Sequence, residues 1–236
     1  MHNLTVIERK NLIYQRFYEV FGVMPDVISD PIEKSYKLSQ ILEEFLPNYI
    51  ANKQNNSHLL NQYFKNFAEH IVPKLRAVMN QTLNSNKNIY QMFNCPALAS
   101  SNAITRIFNT KLGLFWEVIS ILSSNVVSTE IEFGFKLVGV DSIVYYNENF
   151  YYTQLKTQKN TLTGGQSHRV TQELSVYENA LVVACLHCNT GWTYSGPIRK
   201  VVGRDFWNIT DLNYDYILEN LQKLLNIVED LLNLKN

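Results

Sequence analysis

The spacing of apolar residues divides the chain into a helical first part and a mixed second part. In the first part, apolar positions recur at intervals near 3.6, which is typical of helices that bury one face. Gly22 ends the first predicted helix, Asp30 caps the second, and Pro73 breaks or restarts the third. The three helices are predicted over residues 11–23, 31–45 and 57–83.

From about residue 102 the pattern predicts helices that alternate with strands. Strict alternation indicates strands, and the last two strands of the first group form a hairpin with a tight turn at Glu148-Asn149. The predicted order is a helix over 103–125, strands over 127–139, 142–147 and 150–157, a polar loop over 157–169, a helix over 170–178, strands over 180–188 and 192–203, and a closing helix. This order predicts an α/β fold in which a mixed β-sheet is flanked by helices. The predicted helical region spans residues 1–95, and the predicted α/β domain spans residues 96–236.

The composition favours a packed protein of the cytoplasm. Of the 236 residues, 46% are hydrophobic, which is normal for a globular domain. No apolar run approaches the roughly 18 residues that a membrane span needs, so we expect no membrane partner. The first residues carry Glu8 where a signal peptide would be apolar. Three cysteines provide no disulfide framework, as expected in a reducing compartment.

The net charge is zero, but the charges are unevenly distributed. Residues 50–125 carry seven Lys and Arg against two acids, and residues 156–169 carry three basic residues and no acid. The stretch from Asp205 onward is acidic. A neutral total therefore leaves room for a basic face that binds phosphates, although chance asymmetry of a solvated surface explains the same distribution.

The hairpin brings an acid and a lysine to one face of the predicted sheet. If Asn147 and Phe150 flank the turn, Asp141 lies opposite Lys156, and Gln154 is one diagonal step from Asp141. One interpretation is a surface salt bridge between neighbouring strands, which contributes little to stability. The other interpretation is a site that uses all three side chains.

The sequence around these residues resembles the PD-(D/E)XK nuclease superfamily, to which many type II restriction endonucleases belong. The resemblance rests on Gly-Val-Asp141, twelve intervening residues and Gln154-Leu-Lys156, and on the segment 196–209 that follows the core. It implies a restriction-endonuclease-like fold, Mg²⁺ as cofactor with no organic cofactor, double-stranded DNA as substrate, and a homodimer that cuts both strands. The helical region would then serve dimerisation or embrace of the DNA.

The resemblance also implies roles for individual residues. Asp141 corresponds to the invariant acid, Lys156 to the lysine, and Gln154 to a position that is usually Glu or Asp. Carboxylate and amide oxygens are ligands that Mg²⁺ accepts, and a lysine beside them can orient the attacking water. Because Gln154 brings no charge, a further carboxylate is expected, and Glu117 on the preceding helix is the first candidate. Glu130 and Glu132 are alternatives, and a solvated helix position is the other interpretation of Glu117.

Polar and basic residues after Lys156 are candidates for DNA contacts. Amide, hydroxyl and guanidinium groups bind phosphates and base edges, and the Gly164-Gly165 pair permits close approach of the backbone. The candidates in the loop are Lys159, Asn160, Thr161, Thr163, Gln166, Ser167, His168 and Arg169, and two more follow at Lys200 and Arg204.

Three functions remain open from the sequence. The first is a Mg²⁺-dependent type II restriction endonuclease that acts on a palindromic site. The second, suggested by Gln154, is a modification-dependent Mrr-like enzyme or a repair nuclease. The third is a DNA-binding or interaction module without catalysis, in which Asp141 and Lys156 only pair.

Overall fold

The structure is a computed structural model that describes residues 1–80, 89–162 and 164–233. Two compact units are present. The first, here called the sheet unit, comprises Met1–Ser57 and Trp116–Tyr214. The second, the helical unit, comprises the described parts of His58–Phe115 and Asp215–Asn236. No helix within the described residues is long and apolar enough to cross a membrane.

The described part of the sheet unit contains one five-stranded mixed sheet, whose strands follow one another in chain order. The first three strands pair antiparallel, and the fourth and fifth join them in parallel. This arrangement confirms the predicted mixed sheet of an α/β fold. The strands are β1 (Val126–Val127), β2 (Ser142–Tyr146), β3 (Asn149–Lys156), β4 (Ala180–Ala184) and β5 (Arg199–Val202).

The helices of the sheet unit include two from the start of the chain, α1 (Val6–Phe21) and α2 (Pro31–Ala51). Gly22 ends α1 in the left-handed conformation and Asp30 caps α2, as predicted. Both helices bury apolar faces in one core with β2, β3 and β4, where Phe17 and Leu42 join Tyr152. The compact units therefore do not follow the predicted division at residue 95, because the first 57 residues pack on the sheet.

The helical unit contains α3 (Leu60–Asn80), the short α4 (Ile89–Met92), most of α5 (Pro96–Ser120) and most of α9 (Tyr214–Asn233). The predicted break at Pro73 is wrong, because α3 continues through that residue. Pro96 begins α5, several residues earlier than predicted, in agreement with the preference of proline for the first turn. The end of α5, from Trp116, belongs to the sheet unit.

The predicted strand over 127–139 is largely wrong. Only Val126–Val127 form β1, and the next residues form a helix, α6 (Thr129–Phe133). The Ser128 hydroxyl accepts from the Ile131 N–H and caps this helix, and Gly134 ends it with a φ of 72°. Local capping therefore outweighs the alternating pattern of apolar residues.

The predicted loop over 157–169 ends early, because α7 spans Gly164–Leu174. Ser167, Val170 and Leu174 are buried along one face of this helix at the spacing of helical turns. The predicted helix over 170–178 is thus displaced by about six residues at its start. The last helix of the sheet unit, α8 (Arg204–Ile209), follows β5 directly.

Candidate active site

The hairpin turns one residue earlier than the sequence predicted. Asn147 and Glu148 are the central residues, with φ values of 48° and 62°, and Tyr146 pairs with Asn149 across the turn. A two-residue turn of this kind needs positive φ at both positions, and Asn is favoured at the first. The predicted turn at Glu148-Asn149 is therefore wrong, and every cross-strand pair shifts by two residues.

This shift in register changes which residues pair across the hairpin, but each side chain stays on its predicted face of the sheet. Ile143 lies opposite Tyr152, and continuation of this register places Asp141 opposite Gln154. Lys156 follows Gln154 on the same face, because side chains alternate with a period of two. The predicted direct pairing of Asp141 with Lys156 is wrong, whereas the shared face is present. Within the described residues, no ion pair shorter than 4 Å joins these two side chains.

Hydrogen bonds to the backbone of β3 hold Asp141 directly before β2. Its N–H donates to the Thr153 carbonyl at 2.9 Å, and its carboxylate Oδ2 accepts from the Leu155 N–H at 2.7 Å. Burial raises the pKa of Asp141, and this effect is opposed by the charge of Lys156 and by the hydrogen bond from Leu155. The carboxylate is thus fixed in position and poorly solvated, a condition that a bound cation would relieve.

Gly139 precedes Asp141 and allows α7 to approach closely. Its φ is +77°, and a Cβ at this position would lie 2.5 Å from the Cβ of Glu173 on α7. Any side chain at residue 139 would therefore displace the helix or strain the backbone. Close packing of α7 against the chain beside Asp141 therefore requires glycine at position 139.

Gln154 carries a buried polar atom without a partner. The residue is 5% exposed, and in the described part of the chain its Oε1 accepts no hydrogen bond. A buried carbonyl oxygen left unpaired costs about 1–3 kcal/mol. This oxygen lies on the face that carries Asp141, so a cation or a donor supplied by a ligand would satisfy it.

Glu117, in the last turn of α5, is electrostatically coupled to these residues. The pKa of Glu117 is raised to about 7, chiefly by burial and in addition by the charge of Asp141, while the charges of Lys136 and Lys156 lower it. The helix before the sheet therefore carries a second carboxylate whose charge interacts with that of Asp141, and its role as a metal ligand stays a prediction. This arrangement can hold a proton or a cation at near-neutral pH.

Sequence reasoning missed Lys136. Its ammonium lies 3.1 Å from the Glu130 carboxylate, and the hydrogen bond that it donates to Glu130 is the main reason that the pKa of Lys136 is raised. The charges of Glu117 and Asp141 raise this pKa further. The residue follows α6, in a stretch that the alternating pattern had assigned to a strand. Its place in the chain, five residues before Asp141, was the only available signal.

The alternative carboxylates Glu130 and Glu132 each pair with a lysine, and the charge of Glu130 also acts on Asp141 and Glu117. Glu130 is exposed on α6 and pairs with Lys136, and Glu132 forms a 2.9 Å ion pair with Lys53. The predicted strand location of both acids is wrong. Among residues 1–80, 89–162 and 164–233, no group of three or more His, Cys, Asp and Glu side chains is close enough to hold a metal ion. Oxygen ligands from Asp141, Gln154 and Glu117 would therefore need water or substrate oxygens to complete a Mg²⁺ shell.

The predicted DNA contacts are divided among a loop, a helix and a strand. Asn160 and Thr161 are exposed in the loop after β3, where the Thr161 hydroxyl donates to the Gln158 carbonyl at 2.7 Å. The Lys159 carbonyl accepts from the Thr193 N–H, which ties the loop to a later segment. Thr163 lies outside the described residues.

The remaining candidates lie on α7, β5 and α8. Gln166, His168 and Arg169 are exposed on α7, and Arg169 contacts Glu173 at 3.5 Å. Ser167 is buried, and its hydroxyl accepts from the Ser195 N–H. Two further basic residues are exposed, Lys200 on β5 and Arg204 at the start of α8.

Lys200 shares the site's face of the sheet. It pairs with Val182, which in turn pairs with Gln154, so these three side chains stand in one row across β3, β4 and β5. Lys156 lies one step further along the same face. Two exposed or partly exposed cations therefore share the face of the sheet that carries Asp141.

Comparison of the chain with family models, with curated proteins and with solved structures finds no match.

We expect Glu117→Gln to stabilise the protein at high pH and not at low pH. With a folded-state pKa of about 7 against an ordinary 4.5, folding keeps a proton that the unfolded chain releases. Stability is therefore lost as the pH rises through this range, and Gln, which cannot ionise, avoids the loss. After allowance for solvent screening, we expect a gain of about 1 kcal/mol, or roughly 2–4 °C in Tm, near pH 8 and little change near pH 4.

The control for this measurement is Glu178→Gln, which changes an exposed acid of the same unit. Its Tm should follow that of the wild type at both pH values. A Glu117→Gln variant that is no more stable than the wild type at high pH would show that Glu117 is solvated.

Proposed function

We propose that the protein is a Mg²⁺-dependent endonuclease that hydrolyses double-stranded DNA, in the manner of a type II restriction enzyme. The observation that carries the proposal is the unpaired, buried Oε1 of Gln154 on the face that also holds Asp141 and Lys156. A hard cation accepts oxygen ligands of these two types. The order of elements also supports a restriction-endonuclease-like core, since an acid-bearing helix precedes three antiparallel strands, a helix and a parallel strand.

Under this proposal, Asp141, Gln154 and Glu117 hold the cation. When bound, Mg²⁺ polarises the scissile phosphate and increases the acidity of a coordinated water. The backbone N–H of Leu155 fixes the Asp141 carboxylate, so little reorganisation is needed on binding. Ionisation of Glu117 adds the charge that Gln154 lacks.

Lys156 orients the attacking water and offsets negative charge that develops on the phosphate. It lies on the face of Asp141 without a direct ion pair within the described residues, so its ammonium is available to a substrate. Lys200 in the same face and the exposed groups of α7 supply contacts to the DNA backbone. A homodimer would place two such sites on the two strands of a palindromic sequence.

A second candidate is a modification-dependent nuclease of the Mrr-like kind, and the observation that favours it is Gln154 itself. The same site residues would act in that enzyme, and the difference would lie in the DNA that is bound. A module that binds DNA or protein without cutting is the third candidate.

Incubation of the purified protein with DNA tests these candidates. We expect discrete fragments from unmodified plasmid or phage DNA with Mg²⁺, and none when EDTA removes the metal. Cutting confined to methylated DNA would favour the modification-dependent enzyme. Absence of cutting on both substrates, with Mg²⁺ or Mn²⁺, would favour the module without catalysis and contradict our proposal.

A further inference from the structure

A cleft lies in the sheet unit, on the face of the sheet opposite Gln154. Its volume is about 230 Å³, smaller than the roughly 300–1,000 Å³ of sites for drug-sized ligands. The cleft therefore fits a ligand of one or two rings. The residues that line it include Tyr146, Tyr151, Leu181, Arg199, Asp205 and Ile209.

The strand register explains why side chains from four strands meet there. Tyr151 lies opposite Val144, and Leu181 lies opposite Arg199. Because Gln154 is three residues from Tyr151, the two side chains stand on opposite faces of β3. Along β3, Gln154 and Lys156 lie three and five residues beyond Tyr151, which is about 10 Å and about 16 Å at roughly 3.3 Å per residue. The cleft is thus separate from the candidate active site in both face and position.

Helix α8 closes one side of the cleft. Asp205 and Ile209 are four residues apart, so both side chains lie on one face of this helix. Ile209 and Leu181 form an apolar wall, and Asp205 supplies a carboxylate at the edge. Arg199 supplies a guanidinium from the edge strand β5.

Four polar side chains of the cleft have no partners among the residues that the structure describes. In the described residues, the side chains of Arg199 and Asp205 form neither a hydrogen bond nor an ion pair, although both line the same small space. The hydroxyl groups of Tyr146 and Tyr151 are likewise without protein partners in that part of the chain. Five N–H donors of a guanidinium and two carboxylate oxygens are therefore available to a ligand.

We propose that this cleft binds a guanine base. Guanine presents O6 and N7 as adjacent acceptors, which an arginine takes with two parallel hydrogen bonds. On the neighbouring edge its N1–H and N2 amino group are donors, which a carboxylate accepts. The flat ring lies against tyrosine side chains and the aliphatic wall, where stacking and burial contribute to binding.

The same chemistry disfavours adenine. Adenine carries an amino group where guanine carries O6, so a donor would face the Arg199 guanidinium. Its ring N1 is an acceptor and would face the Asp205 carboxylate. Selectivity for guanine therefore follows from both charged groups together, and removal of either should reduce it.

The probe for the test is guanosine 5′-monophosphate, with adenosine 5′-monophosphate as the matched nucleotide. Calorimetry or ligand-observed NMR on the intact chain should show that GMP binds at least about fivefold more tightly than AMP, the lower limit for one well-placed pair of hydrogen bonds. Arg199→Gln and Asp205→Asn should each weaken GMP binding by a similar factor. Both residues are exposed, so we expect the variants to fold.

The control variant is Arg16→Gln, which removes an exposed arginine on α1 and should leave GMP binding unchanged. Equal binding of GMP and AMP, or GMP binding that both cleft variants retain, would overturn the proposal, as would no GMP binding at millimolar concentration. Since the cleft is separate from Asp141, these results are independent of whether the protein cuts DNA.

A second experiment distinguishes a guanine that belongs to a nucleic acid from a guanine that belongs to a free nucleotide. Short single strands with one guanine, or with none, are titrated against the wild type and Asp205→Asn. Tighter binding of the guanine-containing strand than of GMP, lost in Asp205→Asn, indicates an unpaired base of a nucleic acid. Tighter binding of GMP indicates a free nucleotide. Either result supports guanine recognition by the cleft.

Discussion

Asp141→Asn and Lys156→Met are each expected to reduce DNA cleavage by at least about a hundredfold, the scale on which loss of one pre-organised electrostatic contact slows an enzyme. Asn keeps an oxygen that accepts from the Leu155 N–H and loses the charge that holds a cation. Met keeps the aliphatic stem of Lys156 and loses its ammonium. Neither change alters the volume of the site greatly, so we expect both variants to fold. The measurement is the initial rate of plasmid cleavage.

The two variants should differ in their response to the metal. Mg²⁺ that binds the folded protein raises the Tm by mass action, so the wild type should show such a shift and Asp141→Asn should not. Lys156→Met should keep the shift, because the lysine acts on water and phosphate. Lys34→Met, which changes an exposed ion pair with Asp26, is the control and should cut at the wild-type rate. Near wild-type cleavage by either site variant would mean that the site assignment is wrong.

The shared face of Asp141, Gln154 and Lys156 was predictable from the sequence, whereas their pairing was not. Alternation has a period of two, so a register shift of two residues leaves every side chain on its face. Asn147 and Asn149 both tolerate a turn, and the apolar pattern does not choose between them. The face of the hairpin was therefore determined by the pattern, and its register depended on φ values that the pattern does not contain.

The parts of the site that depend on packing between distant segments could not be predicted in detail. The amphipathic pattern of α1 and α2 shows that each buries a face, but not that the sheet covers it. The proximity of Glu117 to Asp141 depends on how the end of α5 packs, so the sequence offered it only by resemblance. The unpaired Oε1 of Gln154 results from the surroundings of β3, and no pattern of residue types reveals it.

Lys53→Met is expected to destabilise the protein by about 3–5 kcal/mol, because it leaves a buried carboxylate without its cation. The Lys53 ammonium lies 2.9 Å from Glu132, with side chains only 8% and 12% exposed, and it also donates to the Val126 carbonyl. Burial lowers the pKa of Lys53, and the charge of Glu132 opposes this effect. After the change, Glu132 keeps the Tyr49 hydroxyl and the Ser128 N–H as donors but has no counter-ion.

A double-mutant cycle measures the coupling between these two residues. Glu132→Gln keeps an oxygen for the Tyr49 hydroxyl and carries no charge, so Lys53→Met/Glu132→Gln should be more stable than the sum of the single losses predicts. Urea unfolding of the four proteins gives this difference. The control is the exposed pair of Lys37 and Glu33, where Lys37→Met should cost about 0.5 kcal/mol or less.

The cycle also separates Glu132 from the candidate active site. If Glu132 were a metal ligand, Glu132→Gln would reduce the Mg²⁺-dependent rise in Tm, as Asp141→Asn is expected to do. The Glu132 oxygens already accept hydrogen bonds from Lys53, Tyr49 and Ser128. We therefore expect Glu132→Gln to be less stable than the wild type and still to show the Mg²⁺-dependent rise in Tm. If Glu132→Gln instead loses the Mg²⁺-dependent rise in Tm and is only slightly less stable than the wild type, the second carboxylate ligand is Glu132 and not Glu117.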